Sequence, residues 1–163
     1  MKPYQNQNSS KKKQVEKMFD SISFEYDKLN RLISAGNDVK WRKKIYEIAF
    51  PLNPIDILDI ATGTADIALE LSKIKGSKII GLDISEKMLN VGRQKVTDRS
   101  LENRVSLVSG DAENLSFSKN TFDLISIGFG VRNFQNLEKG LSESFRVLRE
   151  GGTLIILETS VPQ

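Results

Sequence analysis

Acidic, hydroxyl and glycine residues gather at the places where short apolar runs of this chain give way to polar sequence. The first run ends in Asp59-Ile60-Ala61-Thr62-Gly63-Thr64-Ala65-Asp66, and the second in Gly81-Leu82-Asp83, with Asp83 twenty-four residues after Asp59. Ser109-Gly110-Asp111-Ala112 follows the third, Gly128-Phe129-Gly130 follows the fourth, and Glu158 follows the fifth. A carboxylate at this distance from a glycine-bearing loop can accept hydrogen bonds from ribose hydroxyls. Asp111 is placed to accept from the amino group of an adenine, and the Ala112 amide to donate to a ring nitrogen. The chemistry this pattern suits is the recognition of an adenosine.

Two cofactor classes carry that adenosine, and the loop separates them. A dinucleotide needs G-x-G-x-x-G, so that bare backbone can approach a pyrophosphate at a helix N-terminus. Here Gly63 stands alone and Ala65 occupies the place of a second glycine. S-adenosylmethionine has no phosphate and carries a sulfonium and an ammonium, which favour a strand end rich in acids such as Asp59 and Asp83. The reading is therefore an S-adenosylmethionine site that includes Asp59, Gly63, Asp83, Asp111 and Ala112. Each acid also has a plainer explanation: Asp83 or Ser85 as a helix cap, Asp111 as a turn residue. It is their recurrence at three successive strand ends that points to a ligand.

The composition narrows the chemistry further. The 163 residues contain no histidine and no cysteine, which excludes imidazole bases, Ser-His-Asp triads, thiolate metal sites and disulfides. Proton transfer must use carboxylates, Lys, Tyr or water, and no metal site is expected. The net charge of +3 is mild, and part of it is Lys11-Lys12-Lys13. No basic stripe interleaved with aromatics suggests nucleic acid. The polar start MKPYQNQNSS is unlike a signal peptide, and no apolar stretch approaches the length of a membrane span. The expectation is a cytoplasmic protein, at most peripheral to a membrane through contact with anionic lipid.

The elements that position these residues follow from hydrophobic period. Residues 1–13 read as a flexible tail. Residues 14–54 read as a helical segment, with one helix over 14–24 (Val15, Met18, Phe19, Ile22) and another over 39–50 (Trp41, Ile45, Ile48, Ala49), stopped by Pro51 and Pro54. Residues 55–163 alternate between two periods. Apolar runs at Ile57–Ile60, Ile79–Leu82, Val105–Val108, Leu124–Ile127 and Leu154–Leu157 read as strands buried on both faces. Helical patterns lie between several of them: Ile67-Ala68-Leu71, then Met88-Leu89-Gly92-Val96, then Leu137-Leu141-Phe145-Leu148. Gly151-Gly152 is expected to turn the chain into the last strand. The fold class is α/β, a doubly wound and mostly parallel sheet.

Beyond these patterns the chain resembles a known family. Tyr26-Asp27-Lys28-Leu29-Asn30, then Ser34 and Trp41, is similar to the N-terminal signature of the UbiE/MenG ubiquinone and menaquinone methyltransferases. Arg146-Val147-Leu148-Arg149-Glu150-Gly151-Gly152-Thr153-Leu154, continuing to Glu158 and Ser160, resembles their second signature, and Gly128-Phe129-Gly130-Val131-Arg132-Asn133 is likewise typical. The resemblance extends from about Val15 to Pro162. Departures are Leu29 for Met, Asp38 for His, Glu150 for Pro and Thr159 where many members have an aromatic residue; the L-E-T-S ending looks like the menaquinone branch. Asp38 puts a direct catalytic role for that position in doubt.

The resemblance implies transfer of a methyl group from S-adenosylmethionine to a ring carbon of a prenylated quinol. It places cofactor contacts at Thr64, Asp83, Asp111, Ala112 and Gly128, and makes residues 14–54 a lid on the substrate side. A ring carbon becomes nucleophilic when a neighbouring hydroxyl loses its proton, so the site needs a proton acceptor and a group to hold the phenolate. Arg132 and Asn133 are the candidates for that oxygen, with a structural salt bridge to an acidic helix residue as the alternative for Arg132. Arg132 itself stays protonated, and the carboxylate that would hold a basic water is left open. Tyr26 reads as lining the substrate entrance or as a packing aromatic. Rival readings are a methyltransferase for another small molecule, an NAD-dependent oxidoreductase, and a non-catalytic S-adenosylmethionine-binding module. Because methyltransferases of this fold carry two further strands, those last two strands are expected to be absent here. The fifth strand is then expected to be an exposed edge prone to self-association, and the chain to be inactive alone.

Overall fold

The computed structural model describes residues 10–159. Three helices come first: α1 (Lys11–Ile22), α2 (Tyr26–Ile33) and α3 (Asn37–Ala49), the last continued by a 3-10 turn at Phe50–Leu52. Strands and helices then alternate as β1 (Asp56–Ile60), α4 (Asp66–Leu71), β2 (Lys78–Asp83), α5 (Glu86–Asp98), β3 (Val105–Ser109), β4 (Phe122–Gly128), α6 (Leu137–Val147) and β5 (Leu148–Leu157). A second 3-10 turn, Val131–Asn133, follows β4. All four strand pairings are parallel, in the order β3-β2-β1-β4-β5. The chain winds outward from β1 to β3 and then returns to the other side of β1 with β4. The crevice between β1 and β4 at their carboxyl ends is thus the topological switch point, where open α/β sheets bind ligands.

Alternation along the strands builds the core. Ile57 of β1 and Leu124 of β4 face one layer with Ile45 and Ala49 of α3, Leu71 of α4 and Leu89 of α5. Leu58, Ile60, Ile125 and Ile127 face the other with Phe122 and Val147. β1, β2 and β4 are covered on both faces, which is why they appear in the sequence as unbroken apolar runs. β3 exposes Ser106, and β5, at the sheet edge, buries no residue after Leu148 and leaves Ile156 exposed, against the expectation of burial on both faces.

Four further details differ from expectation. Lys11-Lys12-Lys13 is not tail but the first turn of α1, whose N-cap Ser10 accepts from the Lys13 amide; residues 1–9 of the expected tail lie outside the described residues. The lysines are held there because the Lys11 ammonium donates to the carbonyls of Arg132 and Phe134, and Lys12 pairs with Asp111. Helix α2 lies within the helical segment expected over 14–54 but between the two helices named there, and it buries none of its residues. Gly151-Gly152 does not turn into β5 but lies within it. Phe122 pairs with Leu148 and Leu124 with Thr153, so the residues between Leu148 and Thr153 bulge, with Gly151 at φ 76°. Finally, α6 buries Gly140, Ser144 and Val147 and leaves Leu137 and Phe145 exposed. Phe134 takes the space beside Gly140, where an added Cβ would sit 2.4 Å from its ring.

Candidate functional site

A cavity of about 80 Å³, open to solvent, sits over the carboxyl ends of the strands. Its floor is Gly63 after β1, Asp83 ending β2, Asp111 and Ala112 after β3, and Gly128 ending β4. Val15 and Phe19 of α1 and Tyr26 of α2 close one wall, and Leu82, Ile84, Met88 and Phe134 add apolar surface. Of the residues expected at the site, Gly63, Asp83, Asp111, Ala112, Gly128 and Asn133 line this cavity.

Asp83 organises the centre. Its Oδ2 accepts from the Gly63 amide at 2.8 Å and its Oδ1 from the Ser85 amide at 2.9 Å, so one carboxylate joins the β1 loop to the β2 end. Burial pushes its pKa up, against the opposing pull of the Ser85, Gly63 and Ile84 amides. Ser85, not Asp83, caps α5: its hydroxyl accepts from the Met88 amide and donates to Asp20. The capping role is thereby filled and Asp83 is left facing the cavity. Gly63 adopts φ 56°, and a Cβ there would lie 3.3 Å from Met88 Cε, so a side chain would be strained as well as crowded.

Asp111 makes the turn contact weighed for it and also an ion pair. Its Oδ1 accepts from the Glu113 amide at 3.0 Å, a turn contact, while its Oδ2 meets the Lys12 ammonium at the cavity wall.

Three expected residues do not line the cavity. Asp59 is fully buried, accepting from Thr62 and Ser126 hydroxyls at 2.6 Å each. Burial raises its pKa to about 6 despite those two hydroxyls. It braces the loop from beneath. Thr64 donates its hydroxyl to Asp27 Oδ1 at 2.6 Å and accepts from Lys95 at 3.0 Å. Lys95 also meets Asp27 Oδ2 at 2.6 Å and Asp66 Oδ1 at 2.7 Å, so this network fastens α2 to α4 and α5. Arg42 of α3 joins it by pairing with both Asp38 and Asp66. Burial lowers the Lys95 pKa, opposed by Asp27. Asp38, the residue standing where histidine is usual in the resembled signature, thus works as a charge anchor.

Arg132 lies at the rim, half-exposed, 3.1 Å from Glu158 Oε1 and donating to Thr159 Oγ1 at 2.9 Å. The ion pair is with a strand end, not with a helix. Phe129 links Arg132 to the cavity: it lines the wall, lies 6.0 Å from the guanidinium carbon and 5.6 Å from the Trp41 ring. Its φ of 57° is unusual for a side-chain-bearing residue and marks local strain beside the site. Tyr26 lines the cavity, with its hydroxyl pKa raised by burial against a hydrogen bond with Asn30. Lys12 and Met88 escaped sequence reasoning, since a lysine run and a helix methionine carry no motif of their own, and Phe129, though inside the family-typical stretch, had no role assigned to it.

The parallel order 3-2-1-4-5 with a cavity at the switch point defines a Rossmann-like fold, the one that solved class I methyltransferases share. An S-adenosylmethionine-dependent methyltransferase from Aquifex aeolicus superposes with a TM-score of 0.60 at 26% identity, over 64% of this chain and 56% of that one. The [4+2]-cyclase SpnF superposes with a TM-score of 0.77 at 20% identity, over 92% of this chain and 60% of its own, a likeness of fold alone. Residues 7–163 match the ubiE/COQ5 methyltransferase family, and the chain belongs to that family.

Among its relatives, the demethylmenaquinone methyltransferase of Bacteroides fragilis is 47% identical over 163 residues, covering 99% of this chain and 66% of the relative. That of Staphylococcus epidermidis is 46% identical over 158 residues, covering 96% and 64%, and that of Thermus thermophilus 43% over 146 residues, covering 89% and 66%. The chain therefore spans just under two thirds of the length of these relatives.

Proposed function

We propose that this chain forms the cofactor-binding part of an S-adenosylmethionine-dependent C-methyltransferase that converts a demethylmenaquinol to a menaquinol. The observation that carries the reading is the convergence of Asp83 and Asp111 on one cavity whose loop has a single glycine. The residues fit the cofactor. The Gly63 and Ser85 amides each donate to one Asp83 oxygen, and the Ile84 amide also draws on the carboxylate. A carboxylate has about four acceptor sites, so capacity remains for a ribose hydroxyl. Leu82, Ile84, Val15 and Phe134 offer an apolar slot for adenine, with Asp111 and the Ala112 amide at its edge. Three acids line the cavity (Asp83, Asp111 and Glu113) against one base, Lys12, which is paired with Asp111. That balance favours a cationic ligand and repels a pyrophosphate, which argues against a dinucleotide.

When bound, the cofactor supplies a methyl group on a sulfonium for in-line displacement. The chain's own part is orientation and charge. Asp83 and Gly63 fix the adenosine, α1 and Tyr26 exclude water from one side, and Arg132 with Asn133 offer donors to a ring oxygen as it becomes a phenolate. The menaquinone substrate is proposed from the relatives' names and from the L-E-T-S ending; a ubiquinone precursor is the second substrate to assay.

No helix among the described residues is long and apolar enough to cross a membrane. The prenylated substrate is proposed to be met at the cytoplasmic face of one, by peripheral contact. Phe24, Leu32 and Ile33 support this: they are 86%, 78% and 83% exposed around α2, the helix whose Tyr26 lines the cavity. Lys11 and Lys12 do not support it, being occupied within the protein.

The test is calorimetric titration with S-adenosylmethionine and NAD, followed by transfer of a radiolabelled methyl group by the full-length protein to demethylmenaquinol, to a ubiquinone precursor and to unrelated phenols. Binding of S-adenosylmethionine with turnover of demethylmenaquinol is expected. Binding without turnover of any acceptor would overturn the reading in favour of a non-catalytic module.

A further inference from the structure

We propose that Glu158 takes the hydroxyl proton of the substrate ring, with its Oε2 as the acceptor and Arg132 holding the oxygen left behind. The inference rests on the methyltransferase reading above and names the carboxylate that this reading lacks.

Elimination among the acids near the strand ends leads to it. Both oxygens of Asp59 accept from buried hydroxyls. Asp83 spends one site of each oxygen on a backbone amide that shapes the loop. Asp111 holds Lys12 and the Glu113 amide, and Glu113 Oε1 accepts from the amides of Gln135 and Asn136 at 2.6 and 3.0 Å. Glu158 is different. Its Oε1 accepts from the Thr159 amide at 3.0 Å and faces Arg132 Nη1 at 3.1 Å. Its Oε2 is buried and has no hydrogen-bond partner among the described residues. A buried carboxylate oxygen without a donor is costly to keep, and a substrate hydroxyl is the donor that would satisfy it.

Position agrees with this. Leu157 pairs with Gly128, and the Phe129 amide donates to the Leu157 carbonyl at 2.7 Å, so Glu158 follows directly at the rim where Gly128 and Phe129 line the cavity. Arg132 reaches Glu158 and Thr159 through Nη1, and a guanidinium has five N–H donors, so others are available for a phenolate.

The step balances. The ring O–H bond breaks, its proton goes to Oε2, and its electron pair stays on oxygen and is delocalised to the adjacent ring carbon. That carbon's pair forms the new bond to methyl while the carbon–sulfur pair leaves on sulfur. The hydrogen on the methylated carbon is then lost to water as a proton, the ring regains its aromaticity, and the oxygen, again a phenolate, takes back the proton from Oε2.

The test uses full-length protein, demethylmenaquinol and the variants Glu158→Gln and Glu158→Asp. For Glu158→Gln, kcat is expected to fall about 10²–10⁴-fold with cofactor affinity within about twofold of the parent. Its residual kcat should rise about tenfold per pH unit, because it waits for substrate ionised in solution, whereas the parent's should stay flatter. Glu158→Asp keeps the carboxylate, so it should recover part of kcat with the parent's pH profile; it also carries the test if the glutamine variant misfolds. Without cofactor, binding of 4-methoxy-1-naphthol should weaken about tenfold in Glu158→Gln through loss of a charge-assisted hydrogen bond. A Glu158→Gln enzyme with the parent's kcat at every pH would overturn the proposal while leaving the methyltransferase reading intact. So would a fall in kcat that is flat in pH with unchanged naphthol affinity. A parent that does not methylate demethylmenaquinol overturns both.

Discussion

Lys12, in the first turn of α1, forms an ion pair with Asp111 at the end of β3, so the first helix is pinned across the part of the cavity where an adenine would lie. The pair is partly exposed, at 39% and 29% for the two side chains. Exposed pairs contribute less than about 1 kcal/mol, and its worth lies in closing the wall formed by Val15 and Phe19. Lys12→Ala is therefore expected to speed cofactor dissociation by roughly two- to fivefold, measured by stopped-flow competition. Tighter binding by the variant would instead make Lys12 a competitor for Asp111.

Asp83→Ala should weaken S-adenosylmethionine binding by about 1.5–3 kcal/mol, the loss of hydrogen bonds to a charged acceptor. The variant also strands the Gly63 and Ser85 amides, so melting is followed in parallel. Calorimetry on folded variant and parent decides. Unchanged affinity would remove Asp83 from the site and with it the adenosine assignment.

Asp59 predicts a pH signature in stability. Its folded pKa is raised to about 6, chiefly by burial, whereas an unfolded aspartate titrates near 3.9. Between these values the folded state binds the extra proton. The contribution is therefore fully present below about pH 4, declines as pH rises, and is gone above about pH 6. Two units correspond to roughly 3 kcal/mol at most. Asp59→Asn should abolish that decline, and the difference between parent and variant in urea midpoints from pH 4 to 7 measures it. A constant difference across that range would show that Asp59 titrates normally.

The sheet and the carboxylates of the cavity floor were legible because parallel strands buried on both faces leave apolar runs, and strand ends then announce their own acids. Asp83, Asp111 and Gly63 were found that way. What escaped depends on contacts between distant segments. Helix α2 carries Leu29, Leu32 and Ile33 outward, so it has no buried stripe for periodicity to detect. Lys11-Lys12-Lys13 looks like a solvated run until the carbonyls of Arg132 and Phe134 are seen opposite it. Thr64 has the right neighbours in sequence for a ligand contact, yet Asp27 and Lys95 claim its hydroxyl. Leu137 and Phe145 share an apolar spacing, but Gly140 lets Phe134 pack against the helix and sets the buried face elsewhere.

Arg132→Ala separates binding from chemistry. Arg132 sits beyond β4, beside Phe129 and Glu158, and is absent from the cavity wall. Its removal should leave cofactor affinity within about twofold while kcat for demethylmenaquinol falls ~10²–10³-fold, the range for losing one donor to a developing oxyanion. Arg132→Lys keeps the charge but not the fork of donors, so it should recover only part of kcat. The pair with Glu158 is half-exposed on the arginine side, and such pairs contribute less than about 1 kcal/mol, so melting should shift by only a few degrees. Steady-state kinetics and melting on the same preparations weigh the two roles. A normal kcat with a much lower melting temperature would make Arg132 a structural anchor of the β5 end and take the phenolate out of its reach.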